Sequence, residues 1–530
     1  MADLKSFIEN GNAVMGLEFG STRIKAVLVD ETHAPIASGA YDWENKLENG
    51  YWTYGMDDII TGMQTCFANL KADVKAQYGV ELTSLKAIGI SGMMHGYLAF
   101  SKAGELLVPF RTWRNTTTGE AAKDLSELFR FNIPQRWTIA HLRQAILNGE
   151  PHLKEVDAVF TLASYIHFLL TGKKVVGIGE ASGIMPVDSE KLDYDQVMVD
   201  AFDALSEKSG YAFKLRELFP EVLPAGADAG TLTADGAKLL DVSGMLKPGI
   251  PLAPPEGDAG TGMAATNSVL KRTGNVSAGT SVFSMVVLEK PLSTYYEAID
   301  MVTTPDGAPV AMVHCNNCTS DLNAWVNLFK QNLELMGVKV DMNELYGSLY
   351  RNALNGDPDC GGVVAYNYVS GEAITGFTEG RPLLMRAENA DFSLANLMRA
   401  NLYGAFATLK FGNDILMKQE KVEVDTLFGH GGIFKTKGVA QQFLADALNA
   451  PVSVMKTAGE GGPWGMALLA SYLVNRDENE TLPAFLQEKV FHGEQGEKLD
   501  PDPAGTAGFD RYMEKFEAGL KAERAAVESI

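Results

Sequence analysis

The sequence predicts an α/β fold built twice, with its sheets covered by helices on both faces. Three observations predict it. Apolar, β-rich runs alternate along the chain with segments of helical spacing, as sheets flanked by helices require. Two hairpin-like segments, 14–30 and 273–288, share one design and lie about half the chain apart. The length of 530 residues also exceeds a single hydrophobic core, because cores stop growing at roughly 250–300 residues. Two domains of about 250 residues each are therefore expected.

The first informative element is Val14–Asp30, VMGLEFGSTRIKAVLVD. Apolar runs flank Gly20-Ser21-Thr22 and read as two strands joined by a tight turn. The N–H and hydroxyl groups of such a turn can converge on one anion. Leu85–Ser91, LKAIGIS, reads as a buried strand leading into the loop GMMHG. Asp157–Leu170 has helical spacing and ends at Thr171-Gly172, a C-cap signal. The stretch KPGIPLAPPEGDAGTG, 247–262, is rich in Pro and Gly and marks the domain boundary. The first domain is placed at 1–256 and the second at 257–475.

In the second half, Thr273–Leu288 repeats the hairpin design with Gly279-Thr280-Ser281 at its turn. Leu394–Met417 is a long helical pattern, and 428–438 a glycine-rich turn. Gln441–Asn449 reads as a helix and Pro451–Met455 as a strand. Residues 476–530 are charged and helix-prone, a peripheral C-terminal extension.

Composition narrows the partners. With 46% hydrophobic and 21% charged residues the chain has an ordinary globular composition. A formal net charge of −22 repels nucleic acid and anionic membrane surfaces alike. The N-terminal MADLKSFIENGNAV carries acids and no apolar run, unlike a signal peptide. No stretch approaches the ~20 apolar residues of a membrane span. A cytoplasmic protein is expected, with a small-molecule substrate and with a homodimer allowed. Four cysteines make no disulfide framework. Cys315 and Cys318 form an isolated CxxC with only His314 beside it, too few ligands for zinc, and read as buried thiols.

Phosphoryl transfer needs phosphate oxygens held and neutralised, and an acceptor hydroxyl placed in line. The two small-residue turns suit the first task, each individually also a common structural turn. No G-x-x-x-x-G-K-[ST] loop is present, nor the protein-kinase motif set. Asp258, in PPEGDAGTGMAA, reads as a residue at a helix N-terminus. It is either a plain cap or a carboxylate that accepts the proton of an attacking hydroxyl.

Together these segments resemble the FGGY carbohydrate kinases over residues 14–522. That family phosphorylates ketoses, polyols and glycerol, and its fold is a pair of actin-like, ribonuclease-H-like domains around an ATP and sugar cleft. Gly16–Lys25 is similar to its first phosphate motif, which implies that Gly20, Ser21, Thr22 and Lys25 bind ATP and that Glu18 contacts Mg²⁺ through water. Ser277–Ser281 is similar to the second, implying the same of Gly279, Thr280 and Ser281. GDAGTG resembles the catalytic loop, implying that Asp258 is the base and a second water-mediated Mg²⁺ contact. FGHGGI with QQFLADALNAPVSV resembles the adenosine motif, bringing Gly431, Gly432 and Ile433 to the nucleotide. Gly462–Ala467 resembles the helix start that closes the adenine pocket, and LDPDPAGTAGFDRY the family's C-terminal ending.

SGMMHG, 91–96, resembles the xylulokinase segment that contacts the sugar, which implies that Met94 lines the pocket and His95 hydrogen-bonds a hydroxyl. Trp113, in FRTWRNTTT, resembles the tryptophan that walls the substrate. The implied activity is phosphorylation of the terminal hydroxyl of a ketopentose, D-xylulose first, and WRN keeps L-ribulose as a competitor. An actin-like ATPase that binds a protein partner is the alternative from another class.

The chain departs from the family at three places. Glu18 stands where Asp is usual, one methylene longer. Asn115 and Thr116 replace the usual charge after Trp113, and Ala373 removes the cation of a Gly-Glu-Arg motif.

Overall fold

A computed structural model describes residues 2–455, 461–492 and 496–530. The chain forms two compact units. The first comprises Met1–Val269, Met301–Val310 and Glu460–Gly493; the second comprises Leu270–Asp300, Ala311–Gly459 and Glu494–Ile530.

The first unit is built on a five-stranded sheet. Its strands are β1 (Val14–Phe19), β2 (Arg23–Val29), β3 (Pro35–Asp42), β4 (Ala87–Gly92) and β5 (Glu256–Gly257), in the order β5-β4-β1-β2-β3. β1 pairs antiparallel with β2 and parallel with β4. Its central strands are apolar on both faces because both faces carry a helix. On one face a Cβ on Gly16 would overlap the Pro463 carbonyl, so the helix Gly461–Asn475 lies directly on the strand. On the other a Cβ on Gly39 would overlap the Cys66 carbonyl of the helix Met56–Tyr78.

The second unit repeats this plan. β6 (Thr273–Ala278), β7 (Val282–Val287), β8 (Pro309–Cys315), β9 (Thr426–His430), β10 (Val452–Val454) and β11 (Glu497–Leu499) lie in the order β8-β7-β6-β9-β10-β11. β6 pairs antiparallel with β7 and parallel with β9, as β1 does with β2 and β4. The helices Leu394–Asp414 and Val439–Leu448 pack on this sheet. The duplicated α/β architecture expected from the two hairpins is present: β8-β7-β6-β9-β10 repeat the order of the first sheet's five strands, and the second sheet continues beyond them to seven.

Several local boundaries differ from the sequence expectation. Residues 157–160 are not helical: Val156–Phe160 is a strand paired with Leu98–Ser101. The helix starts at Leu162, where Thr161 and Ser164 form a reciprocal capping box, and Gly172 ends it with a left-handed φ of 72°. The pattern at 394–417 is an α-helix to Asp414 followed by a π-turn, Ile415–Gln419. Gly257, placed above at the start of the second domain, is hydrogen-bonded together with Glu256 into the first unit's sheet, opposite Gly92 and Ser91. The C-terminal residues divide, with 476–493 in the first unit and 494–530 in the second.

Candidate active site

In the first unit, Lys25, Glu18, Ser91 and Glu256 lie in one register across β2, β1, β4 and β5. Laterally paired residues share a face, so these four point toward the helices Asp258–Ala265 and Gly461–Asn475. The Glu18 carboxyl rests on the first turn of the latter helix, where a Cβ on Gly462 would overlap it. Burial, and then the charge of Asp258, push the Glu18 carboxyl up to about 7, against the opposing pull of Lys25.

Asp258 is the first residue of its helix, and Gly257 occupies the cap position. The Asp258 side chain faces backbone amides: its Oδ1 accepts a hydrogen bond from the Met94 amide at 3.1 Å, and the Ala259 amide at the helix start also acts on the carboxyl. The residue reaches solvent, yet protein atoms crowd the carboxyl. Desolvation raises its pKa, opposed by the Met94 and Ala259 amides and by the charge of Arg136. Raising the pKa makes Asp258 a stronger base than an ordinary aspartate.

Beneath Asp258 lie two further buried carboxyls. Glu256 accepts the amides of Gly179 at 3.0 Å and Glu180 at 2.9 Å, tying the 178–181 turn to β5, and burial pushes it up to about 7. Glu180 is fully buried, with neither carboxyl oxygen hydrogen-bonded among the described residues. Burial holds its pKa well above the ordinary range. A Cβ on Gly257 would overlap it, so this carboxyl supports the backbone that aims Asp258.

Met94 and His95 follow β4, and His95 has a left-handed φ of 72°. Its Nδ1 lies 3.2 Å from the Gly183 carbonyl, and its Nε2 accepts Arg136 Nε at 3.1 Å. These bonds set the tautomer with the proton on Nδ1. Both ring nitrogens are engaged within the protein, so a sugar hydroxyl would share or displace Arg136 at Nε2. Arg136 was not expected from the sequence. It lies in NIPQRWT just before the helix Thr138–Leu147, and no local motif marks it.

Trp113 is exposed, and its Nε1 donates to Ser21 Oγ at 3.2 Å. Asn115 is buried and spends its amide on the Trp52 backbone and the Thr112 carbonyl. It anchors the Trp113 loop instead of facing a substrate.

The two small-residue turns are held alike. The Gly20 carbonyl accepts Trp43 Nε1 at 2.7 Å, and the Ser21 carbonyl accepts the Tyr54 hydroxyl at 2.6 Å. In the second unit the Gly279 carbonyl accepts the Thr319 amide and hydroxyl, and the Thr280 carbonyl accepts the Cys318 amide. No protein acceptor takes the amides of Ser21, Thr22, Thr280 or Ser281 among the described residues. Carbonyls tied back and amides left open are the arrangement that an anion-binding turn requires. Cys315 and Cys318 are free and fully buried, and burial pushes both thiols up, so the CxxC is inert and lends backbone to the turn. Next to the turn, a Cβ on Gly431 (φ 117°) would overlap the Ala278 carbonyl. Gly432 has open space, and Ile433 is buried. In this unit Glu372, beside Ala373, is buried and accepts the Asn317 amide; burial pushes it up to about 7.

A family model described as "FGGY family of carbohydrate kinases, N-terminal domain" matches residues 13–263, and its C-terminal-domain counterpart matches 274–474. The chain belongs to the FGGY family of carbohydrate kinases. It is a sugar kinase, a phosphotransferase of the actin-like fold whose phosphoryl donor is ATP. This FGGY kinase is 22% identical to the xylulose kinase of Haemophilus influenzae over 531 aligned residues, covering 95% of this chain and 98% of the relative. The structure of a ligand-bound xylulose kinase from Lactobacillus acidophilus superposes with a TM-score of 0.78 at 17% identity, covering 97% of this chain and 99% of that one. A gluconate kinase from the same organism gives 0.78 at 16% identity with the same coverage. At these identities the likeness shows the fold. Two kinases named for different sugars match equally well, so the fold does not select the sugar.

Among the described residues no helix is long and apolar enough to cross a membrane.

Proposed function

We propose that this FGGY kinase transfers the γ-phosphate of ATP to the terminal hydroxyl of an open-chain ketopentose, with D-xylulose as the preferred acceptor. Asp258 carries the proposal: it is pinned by the Met94 amide, opens its helix, and has a raised pKa. Its carboxylate takes the acceptor's proton as the sugar oxygen bonds to the γ-phosphorus and ADP departs. The first unit supplies acceptor contacts from Met94, His95 and Trp113, and phosphate contacts from Gly20, Ser21, Thr22 and Lys25. Gly279, Thr280 and Ser281 are the further phosphate contacts in this reading, and Gly431, Gly432 and Ile433 the nucleoside contacts.

Glu18 and Asp258 would hold Mg²⁺ through water. Their mutual repulsion, which helps raise Glu18 to about 7, is what a divalent cation relieves. No group of three acidic, His or Cys ligands exists among the described residues; two carboxylates completed by phosphate oxygens and water suit Mg²⁺. The ion, when bound, neutralises charge on the transferring phosphate. Four free, buried cysteines suit a reducing compartment, and we place the enzyme in the cytoplasm.

The test is a coupled assay with ATP against D-xylulose, L-ribulose, D-ribulose, L-xylulose and glycerol. The expected result is the highest kcat/KM for D-xylulose, by at least about tenfold, since specificity among these acceptors rests on their hydroxyl contacts. A higher value for L-ribulose would replace D-xylulose as the substrate. Transfer to none of them, with ATP hydrolysis intact, would favour an actin-like ATPase.

A further inference from the structure

Three side chains donate to the Gly20-Ser21 turn, and they are not alike. Trp43 and Tyr54 are buried, stacked on each other at 4.2 Å, and both bond to backbone carbonyls. Trp113 is 40% exposed, and it alone bonds to a side chain, the Ser21 hydroxyl. The loop beneath it is fixed by Asn115 and Thr112 against Trp52, while the Trp113 side chain stays partly open to solvent.

An indole N–H only donates. When it donates to Ser21 Oγ, the hydroxyl's own proton must point elsewhere, and the acceptor best placed to receive it is an anion on the open amides of the same turn. Donation into Oγ also polarises the O–H and strengthens the bond it makes.

We propose that Trp113 is a positioning residue that couples the acceptor site to the phosphate turn, through the relay Trp113 Nε1–H to Ser21 Oγ–H to a phosphate oxygen. A sugar lying on the exposed indole face shields the first bond from water and sets the Ser21 proton toward the phosphate. Without a sugar, water competes for the indole N–H and the hydroxyl is free to turn, which holds back transfer to water. The proposal rests on the kinase reading above for the position of the sugar, and on the turn alone for the relay.

Two experiments test it with the full-length chain. In the first, Trp113→Phe keeps a ring face and removes the donor, Ser21→Ala removes the hydroxyl, and the double variant removes both; D-xylulose, with L-ribulose as second acceptor, and ATP with Mg²⁺ are the substrates. We expect kcat to fall about five- to twentyfold in each single variant, as for one lost transition-state hydrogen bond. The sugar KM should stay within about twofold for Trp113→Phe, and the double variant should be no worse than the poorer single variant. A raised KM at unchanged kcat, or losses that multiply, would reduce Trp113 to a wall and overturn the relay.

The second experiment needs no turnover. Trp113→Phe identifies the Trp113 indole N–H resonance in protein labelled with ¹⁵N-tryptophan. A non-hydrolysable ATP analogue with Mg²⁺ should shift it in the native chain and leave it in place in Ser21→Ala. A resonance unmoved in the native chain, or moved equally in both, sinks the relay whatever the sugar proves to be. A shift seen alongside failure to phosphorylate either ketose would leave the relay standing and fault the choice of substrate.

Discussion

The Met94 amide donates to Asp258 Oδ1 at 3.1 Å, so the loop that follows β4 and the residue that opens the helix Asp258–Ala265 are set by one hydrogen bond. On the proposed mechanism the same carboxylate takes the proton of the acceptor hydroxyl. Asp258→Asn is expected to lower kcat by about 10²–10⁴-fold, the usual worth of a positioned base, while Kd for ATP stays within about threefold by calorimetry. Because the pKa of Asp258 is raised, the acid limb of kcat/KM in the native enzyme should fall at a higher pH than an ordinary aspartate would give. Native-like turnover in the variant would remove Asp258 from the mechanism.

Tyr54→Phe deletes the hydroxyl that holds the Ser21 carbonyl at 2.6 Å. The turn then keeps Trp43 but loses half of its backbone clamp. One hydrogen bond contributes about 0.5–1.5 kcal/mol, so KM for ATP should rise roughly two- to tenfold with a smaller change in sugar KM. Steady-state kinetics with each substrate varied in turn checks the split.

The buried carboxyls below Asp258 make stability depend on pH. Glu256 rises from an ordinary 4.5 to about 7 in the folded chain, and Glu180 rises as well. A raised carboxyl contributes stability that is fully present below the unfolded pKa and is lost as pH climbs through the folded one. For Glu256 that window runs from about 4.5 to about 7. Glu180→Gln keeps the shape of the side chain and removes its charge, so relative to the native chain its denaturation midpoint should improve as pH is raised above about 4.5. A difference between the two proteins that is flat from pH 5 to 8 would mean that Glu180 does not resist ionisation.

Gly16→Ala places a methyl group in the Pro463 carbonyl, with backbone on both sides and no flexible side chain to yield. The helix Gly461–Asn475 must then move off the sheet, carrying with it the turn that meets Glu18. A loss of at least about 3 kcal/mol is expected, at the upper end for overpacking because backbone has to shift. Urea unfolding followed by far-UV circular dichroism measures it.

What the residues declared on their own is what short-range rules govern. The apolar runs on either side of Gly20-Ser21-Thr22 and of Gly279-Thr280-Ser281 are local patterns, and both hairpins form where those runs lie. The Gly172 stop needed only a residue tolerant of a left-handed φ. The position of Asp258 at a helix start was likewise written in the glycines and alanines around it.

Tertiary structure decided the rest, because the deciding contacts join segments far apart in the chain. Arg136 reaches His95, Glu256 reaches the amides of Gly179 and Glu180, and Glu18 meets Gly462. None of these pairs shares a local period, and each depends on which face of the sheet its strand presents. The Pro- and Gly-rich stretch before Asp258 reads as a boundary, yet Glu256–Gly257 finds its unpaired hydrogen bonds on β4 and joins the first unit. Asp258 follows it there, beside Met94. The place of Asp258 at a helix start was legible in the sequence, but the Met94 amide that orients it and the desolvation that raises its pKa exist only in the folded chain.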